Sequence, residues 1–179
     1  YAPHDLGQYP LATGQVYAMG TDPKTGKPHA DADRMPVEEC GNMLIALAAL
    51  AQKEGNAGFA EQWWPTVTKW AEYLRRFGFD PGDQLCTDDF MGHSARNTNL
   101  AVKAIMGVMS YSEICRMLGD NEQAEEYKAK AKDMVSFWTA NAYTTTGGAH
   151  YLLNFGANSS TWSSKYNLVW DKIWIETAF

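Results

Sequence analysis

The chain has 179 residues, 45% of them hydrophobic and 13% aromatic, which is enough for one domain with a sizeable core. Its 15 basic and 21 acidic side chains are interspersed and leave a net charge of −6. This balance argues against a nucleic-acid partner, because phosphates attract a basic surface. No run of 18 apolar residues occurs, so no membrane span is predicted. The three cysteines lack metal-ligand spacing, and neither a metal nor a cofactor is predicted.

Residues 1–36 hold five of the seven prolines and no sustained hydrophobic period, so they are predicted to be a loop-rich lead-in to a single domain over 1–179. The chain starts at Tyr1 without a methionine and ends in IWIETAF, inside an apparent helix. Both ends suggest a piece of a longer protein.

Two kinds of helix are predicted in the first hairpin, over 37–78. Residues 40–51 contain no charge, which is typical of a helix enclosed on every side. The next helix is predicted to be amphipathic, with a charged outer face. Its apolar positions recur at three- and four-residue steps: Phe59, Trp63, Val67, Trp70, Leu74 and Phe77.

The same order recurs in a second predicted hairpin, over 95–142. Residues 100–112 carry one charge, Lys103. Asp120 and Gln123 then form a capping-box pattern ahead of an amphipathic helix. A third start, KYNLVWDKIW, lies within 163–179, and YLLNF at 151–155 is predicted to be a short strand.

The alternation predicts an all-α fold in which charge-free inner helices are wrapped by two-faced outer helices. Antiparallel hairpins joined by short loops build such an arrangement, here part of an α/α toroid. Asn42, Asn99 and Asn167 are placed at the openings of the three inner helices. If these helices run parallel, all three openings lie at one end of the ring.

Acidic and polar residues crowd those openings, where unpaired backbone N–H groups favour anions. The acids also have simpler roles, since first-turn acids favour the helix dipole and loop acids cap turns. The candidate site residues are Asp5, Glu38, Glu39, Asp88, Asp89, His93, Arg96 and Asn97.

A pair of carboxylates supports hydrolysis when one is protonated and the other activates water. Glu39 and Asp89 are the predicted catalytic pair, with Asp5 as an alternative partner. The other candidates, Asp5, Glu38, Asp88, His93, Arg96 and Asn97, are predicted to bind substrate. A serine triad is disfavoured because the sequence has no G-x-S-x-G.

Four segments in order resemble the C-terminal helical domain of the glutaminase A family: APHDLGQYP, MPVEECGNMLI, LCTDDFMGHSARNTNLAVKAI and SSKYNLVWDKIW. The resemblance implies a six-hairpin, glycosidase-like (α/α)6 toroid, of which this chain covers only part. Longer members carry preceding β-rich domains. It also implies hydrolysis of L-glutamine to glutamate and ammonia by a secreted or cell-envelope protein. The resembling segments include all the acids above, His93 and Asn97.

Two other functions remain open. Carboxylate pairs and cavity-facing tryptophans suit a glycoside hydrolase or sugar-binding toroid as well as an amidohydrolase. This portion is alternatively a non-catalytic structural part of a larger protein. The expected partners are a small molecule, glutamine or a sugar, and the remaining domains of the full-length protein.

Overall fold

A computed structural model describes residues 26, 35–86, 92–173 and 179. Most of the lead-in over 1–36 therefore lies outside the described residues, as do Asp5, Asp88 and Asp89. The described elements are α1 (Pro36–Glu54), α2 (Gly58–Gln62), α3 (Trp64–Phe77), α4 (Thr98–Met117), α5 (Asn121–Ala142), β1 (Tyr143–Thr144), β2 (His150–Tyr151), a 3-10 turn (Tyr166–Leu168) and α6 (Val169–Ile173). The all-α prediction is confirmed, and the strands are a two-residue antiparallel pair after α5. The assignment of 1–179 to one domain stays a prediction.

Local chemistry sets the two ends of α1. Pro36 occupies the first turn, where its fixed φ suits a helix and its missing N–H costs nothing. Gly55 ends the helix with a φ of 72°, a left-handed conformation that glycine adopts without a Cβ clash. Because α1 begins at Pro36, Asn42 lies in its second turn and not at its opening. The predicted position of Asn42 was therefore wrong by more than one turn.

The second hairpin is antiparallel. The Trp138 indole of α5 donates to the Thr98 carbonyl at the start of α4, at 2.9 Å. At the other end of α4, the Ser112 hydroxyl donates to the Ala124 carbonyl near the start of α5, at 2.7 Å. The last part of α5 thus lies beside the start of α4, and the first part of α5 lies beside the second half of α4. The two helices therefore run in opposite directions.

The predicted capping box at the start of α5 is half formed. The Asp120 carboxylate accepts a hydrogen bond from the Gln123 backbone N–H at 3.1 Å. The Gln123 side chain turns instead to α4, where its Oε1 accepts from the Tyr111 hydroxyl at 2.8 Å. The side chain thereby satisfies a buried phenol instead of the helix terminus.

Helix α4 packs in parallel against α1. Glu38 and Gly41 near the start of α1 contact Lys103 and Gly107 in the first half of α4. A Cβ added at Gly107 would lie 3.0 Å from the Gly41 Cα, so the two glycines allow the backbones to approach closely. The parallel arrangement that was assumed for the inner helices is therefore found for this pair.

The outer helix α3 runs antiparallel to α4. Trp64 at its start stacks on Tyr111 in the second half of α4, with ring centroids 5.1 Å apart. Gly78, just after its end, lies against Ala104 in the first half of α4. Because α1 and α4 are parallel, α3 also runs opposite to α1 and closes the first hairpin.

Burial separates inner from outer helices. Sixteen of the twenty residues of α4 are buried, against six of the twenty-two in α5. The inner position predicted for α4 is therefore confirmed. The apolar face predicted for the amphipathic helix was wrong at Phe59 of α2, at Trp63 between α2 and α3, and at Phe77 of α3, which are 46%, 58% and 47% exposed. The residues that α3 buries are the smaller Val67, Ala71 and Leu74.

Cys40, Cys86 and Cys115 are buried and form no disulfide. Within the described part of the chain, no helix combines the length and the apolar composition needed to cross a bilayer.

Candidate functional site

The polar openings of the inner helices meet at one end of the described structure. The Asn99 Oδ1 in the first turn of α4 accepts from the Asn167 backbone N–H at 3.1 Å, and the Asn167 Nδ2 donates to the Asn99 carbonyl at 3.0 Å. The Lys103 Nζ, one turn further along α4, donates to the Asn42 Oδ1 of α1. The shared end predicted for the three asparagines is confirmed by these contacts.

A buried ion pair joins α1 and α4 at this end. The Lys103 Nζ lies 3.0 Å from the Glu38 Oε1, and the two side chains are 6% and 2% exposed. Sequence reasoning noted Lys103 only as the single charge of α4 and did not place it in the site. The signal was its position, since a lone charge on an enclosed helix needs a partner.

Glu39 is placed differently from its neighbour. It is half-buried, and the Asn42 Nδ2 donates to its Oε2 at 3.4 Å. Its backbone N–H donates to the Met35 carbonyl at 3.0 Å, which fixes it in the first turn of α1. Of the two adjacent acids, Glu39 is the more exposed.

The loop between α3 and α4 is anchored to the start of α1. The Gln84 Oε1 accepts from the Val37 backbone N–H at 3.0 Å and so satisfies one of the unpaired donors of α1. The Gln84 carbonyl in turn accepts from the Ser94 N–H at 3.1 Å. Asp88 and Asp89 belong to the segment between these two loop residues and lie outside the described residues.

Two site candidates of this loop, Arg96 and His93, lie beside acids. The Arg96 Nε donates to the Asp80 Oδ1 at 3.0 Å, and the His93 Nδ1 lies 3.7 Å from the Asp83 Oδ2. Arg96 also has a φ of 60°, an unusual conformation for a non-glycine residue. Its backbone N–H donates to the Pro81 carbonyl at 2.7 Å, which holds this turn in place.

Asn97 is the N-cap of α4. Its Oδ1 accepts from the Leu100 backbone N–H at 2.8 Å, and its side chain is buried. This bond explains why an asparagine stands at this position, since it satisfies a terminal helix donor. Its structural role does not require a ligand.

Three buried polar atoms at this end have no hydrogen-bond partner among the described residues: Asn97 Nδ2, Thr98 Oγ1 and Asn167 Oδ1. A buried polar group without a partner costs about 1–3 kcal/mol, so native structures usually supply water or a ligand. The three atoms lie at the start of α4 and in the 3-10 turn that contacts it.

A cavity of about 40 Å³ lies elsewhere, along the second half of α4, with Gln52, Met109 and Trp170 among its lining residues. A single water needs about 10–15 Å³ of such volume, so this cavity holds a few waters and not an amino acid.

The chain matches the family model described as the glutaminase A six helical-hairpin domain over residues 1–179. It is 37% identical over 174 residues to "Glutaminase A" of Aspergillus oryzae, covering 96% of this chain and 23% of that protein. It is 26% identical over 230 residues to "Probable glutaminase" of Arthroderma benhamiae, covering 97% of this chain and 25% of that protein. No solved structure matches. The chain spans about a quarter of the length of these two relatives, and it belongs to the glutaminase A family through its six-helical-hairpin domain.

Proposed function

We propose that the full-length protein hydrolyses L-glutamine to L-glutamate and ammonia, with the site at the N-terminal end of α1 and α4. The observation that carries the proposal is the position of Glu39, a half-buried carboxylate in the first turn of an inner helix. The names of the two curated relatives support the same reaction.

Glu39 acts as the general base in this proposal. Its carboxylate removes a proton from water, and the water oxygen attacks the side-chain amide carbon of glutamine. The carbon–nitrogen bond of the resulting tetrahedral species then breaks, and the nitrogen leaves as ammonia with the proton that Glu39 returns. One water is consumed, and the amide becomes a carboxyl group. Asp89 is proposed as the second carboxylate of the pair.

Recognition of the amino-acid end groups needs one cation and one anion. Arg96 is proposed to bind the α-carboxylate, because its ion pair with Asp80 uses Nε and a guanidinium has further N–H donors on its two Nη atoms. The α-ammonium is proposed to meet the remaining acids of the cluster, Asp5 and Asp88.

Glu38 is assigned a supporting role in the proposal. Its carboxylate is 2% exposed and paired with Lys103, so a substrate would have to displace a buried ion pair to reach it. Breaking such a pair costs about 3–5 kcal/mol, which is more than one substrate contact returns. Glu38 therefore stabilises the packing of α1 against α4 beside the site, and the neighbouring residues bind the substrate.

The test is ammonia release from L-glutamine by the full-length protein. L-Asparagine tests the length of the amide side chain, and methanol release from L-glutamate γ-methyl ester tests whether an amide is required. A panel of glycosides tests the sugar alternative. Turnover of glutamine without turnover of glycosides supports the proposal. Turnover of a glycoside, with glutamine untouched, overturns it.

The carbohydrate alternative has one specific observation in its favour. Trp162 is 64% exposed and stacks on the His150 ring with centroids 4.0 Å apart. A flat, exposed indole with a fixed orientation suits the apolar face of a sugar ring. If the protein binds carbohydrate at Trp162, Trp162→Ala should abolish glycan binding. If the protein is a glutaminase, the same variant should leave glutamine turnover unchanged.

A further inference from the structure

We propose that Lys103 is a positioning residue for the site, which acts on Glu39 through the side-chain amide of Asn42. The inference rests on the proposed glutaminase function and extends it to a residue that does not touch substrate. The connection runs from Lys103 Nζ to Asn42 Oδ1, and from Asn42 Nδ2 to Glu39 Oε2.

The orientation of the Asn42 amide is the property that Lys103 controls. An ammonium group only donates hydrogen bonds, whereas an amide has one accepting and one donating end. With its oxygen held by the Lys103 Nζ, the amide must present its N–H₂ group to the Glu39 carboxylate, where the nitrogen lies 3.4 Å from Oε2. Without Lys103, the Asn42 oxygen loses this donor, and the amide can rotate away from the Glu39 carboxylate.

The surroundings of Lys103 hold its ammonium in one place. The Glu38 Oε1 lies 3.0 Å from Nζ and balances its charge. The Trp170 ring centroid lies 5.9 Å from Nζ, within the range of a cation–π contact. Because the Lys103 ammonium is held on two sides, its hydrogen bond to the Asn42 Oδ1 is kept in place.

The α1 backbone makes room for the Lys103 stem. A Cβ added at Gly41 would lie 2.6 Å from the Lys103 Cγ and 3.1 Å from its Cδ. Gly41 thus leaves a gap that the methylene groups of this lysine fill. An apolar side chain of similar length would fill the same gap, so packing alone does not explain why the buried residue is charged.

The experiment measures kcat and KM for glutamine in the full-length protein carrying Lys103→Met, Lys103→Arg or Asn42→Ala. Lys103→Met and Asn42→Ala are expected to lower kcat roughly tenfold or more with a much smaller change in KM, because misplacing a reacting group can cost ~100-fold. Lys103→Arg retains a cationic donor and should recover part of the rate. The matched control is Lys132→Met, an exposed lysine of α5, which should leave both constants unchanged.

A double variant separates positioning from general damage. If Lys103 acts only through Glu39, adding Lys103→Met to Glu39→Gln produces no further loss of kcat. A multiplicative loss, or a normal kcat in Asn42→Ala, overturns the inference. Thermal unfolding of each variant confirms that the measured protein is folded at the assay temperature.

A second arm does not depend on glutamine turnover. Crystal structures of the wild type and Lys103→Met are compared at Asn42. The inference predicts that the Asn42 side chain moves away from Glu39 in the variant, and an unchanged contact overturns it. If the wild type hydrolyses no amide, the proposed function fails, and this structural comparison still decides the role of Lys103.

Discussion

The Lys103 Nζ lies 3.0 Å from the Glu38 Oε1, and neither side chain is more than 6% exposed. The pair connects the inner helix of the first hairpin with that of the second. Removing both charges from water is costly, so the net contribution of such a pair to stability is small, but one partner left alone is strongly unfavourable. The pair therefore fixes which turns of α1 and α4 face each other.

Lys103→Met should lower the free energy of unfolding by about 3–5 kcal/mol, because it leaves the Glu38 carboxylate buried without its cation. The double variant Glu38→Met/Lys103→Met should recover most of this loss, since it removes both charges. Urea unfolding followed by tryptophan fluorescence measures the difference. A double variant as unstable as the single one would show that the charge of Glu38 is not the cause.

Gly107→Ala should destabilise the contact between α1 and α4. The added Cβ would lie 2.5 Å from the Leu74 Cδ1 and 3.0 Å from the Gly41 Cα, so the backbones must separate. Overpacking of this kind costs about 1–3 kcal/mol, against a gain of roughly 1 kcal/mol in helix propensity. A net loss in the urea midpoint is expected. Gly82→Ala is the matched control, since nothing lies within 4 Å of its added Cβ.

The helical architecture could be predicted from the sequence because a helix without charged residues must be buried on all sides. A helix such as α4, with a single charge over residues 100–112, has to be covered on all sides, and sixteen of its twenty residues are buried. The face of α3 was harder to predict. The periodicity identified Val67 and Leu74, which are buried, but it missed Ala71. It also marked three large rings that are exposed: Phe59, Trp63 and Phe77. A three- and four-residue period of large apolar residues does not detect a small buried residue such as Ala71.

The site was predicted less well than the fold because it depends on register between helices. Sequence order places Glu38 and Glu39 together, yet one is buried against Lys103 and the other is half-buried. That difference is set by the rotation of α1 relative to α4. No spacing within α1 reveals it. The lone charge at Lys103 was the available signal, and it indicated a buried partner without identifying Glu38.

Alkaline pH should destabilise the contact between α4 and α5. Burial raises the pKa of the Cys115 thiol from its ordinary 9.0 to about 12. Since the unfolded chain loses this proton first, the stability is fully present below pH 9 and is lost as the pH rises from 9 to about 12. Burial likewise raises the pKa of Tyr111 and Tyr127 above their ordinary 10.0. These two side chains therefore add to the loss of stability above pH 10.

Cys115→Ala tests the thiol's share of this effect. The free energy of unfolding of the variant should fall less steeply between pH 9 and pH 12 than that of the wild type. Urea unfolding at several pH values in this window provides the two slopes. Equal slopes would mean that Cys115 does not titrate differently in the folded and unfolded chains.

Glu39→Gln should reduce glutamine turnover by roughly 100-fold or more, because general base catalysis contributes about 10²–10⁴-fold. Asp89→Asn should also reduce turnover if Asp89 is the second carboxylate. The steady-state kcat of the full-length protein is the measurement. Glu54→Gln is the matched control, since Glu54 is an exposed residue at the opposite end of α1. Unchanged turnover in both site variants would remove the site from this part of the chain.

The most direct measurement is a structure of the full-length Glu39→Gln variant with L-glutamine bound. This variant should bind the substrate without hydrolysing it. Glutamine is expected at the shared N-terminal end of α1 and α4. Its side-chain amide should lie within hydrogen-bonding distance of residue 39. Glutamine bound at the other end of these helices, beside Glu54 and Gly119, would contradict the account.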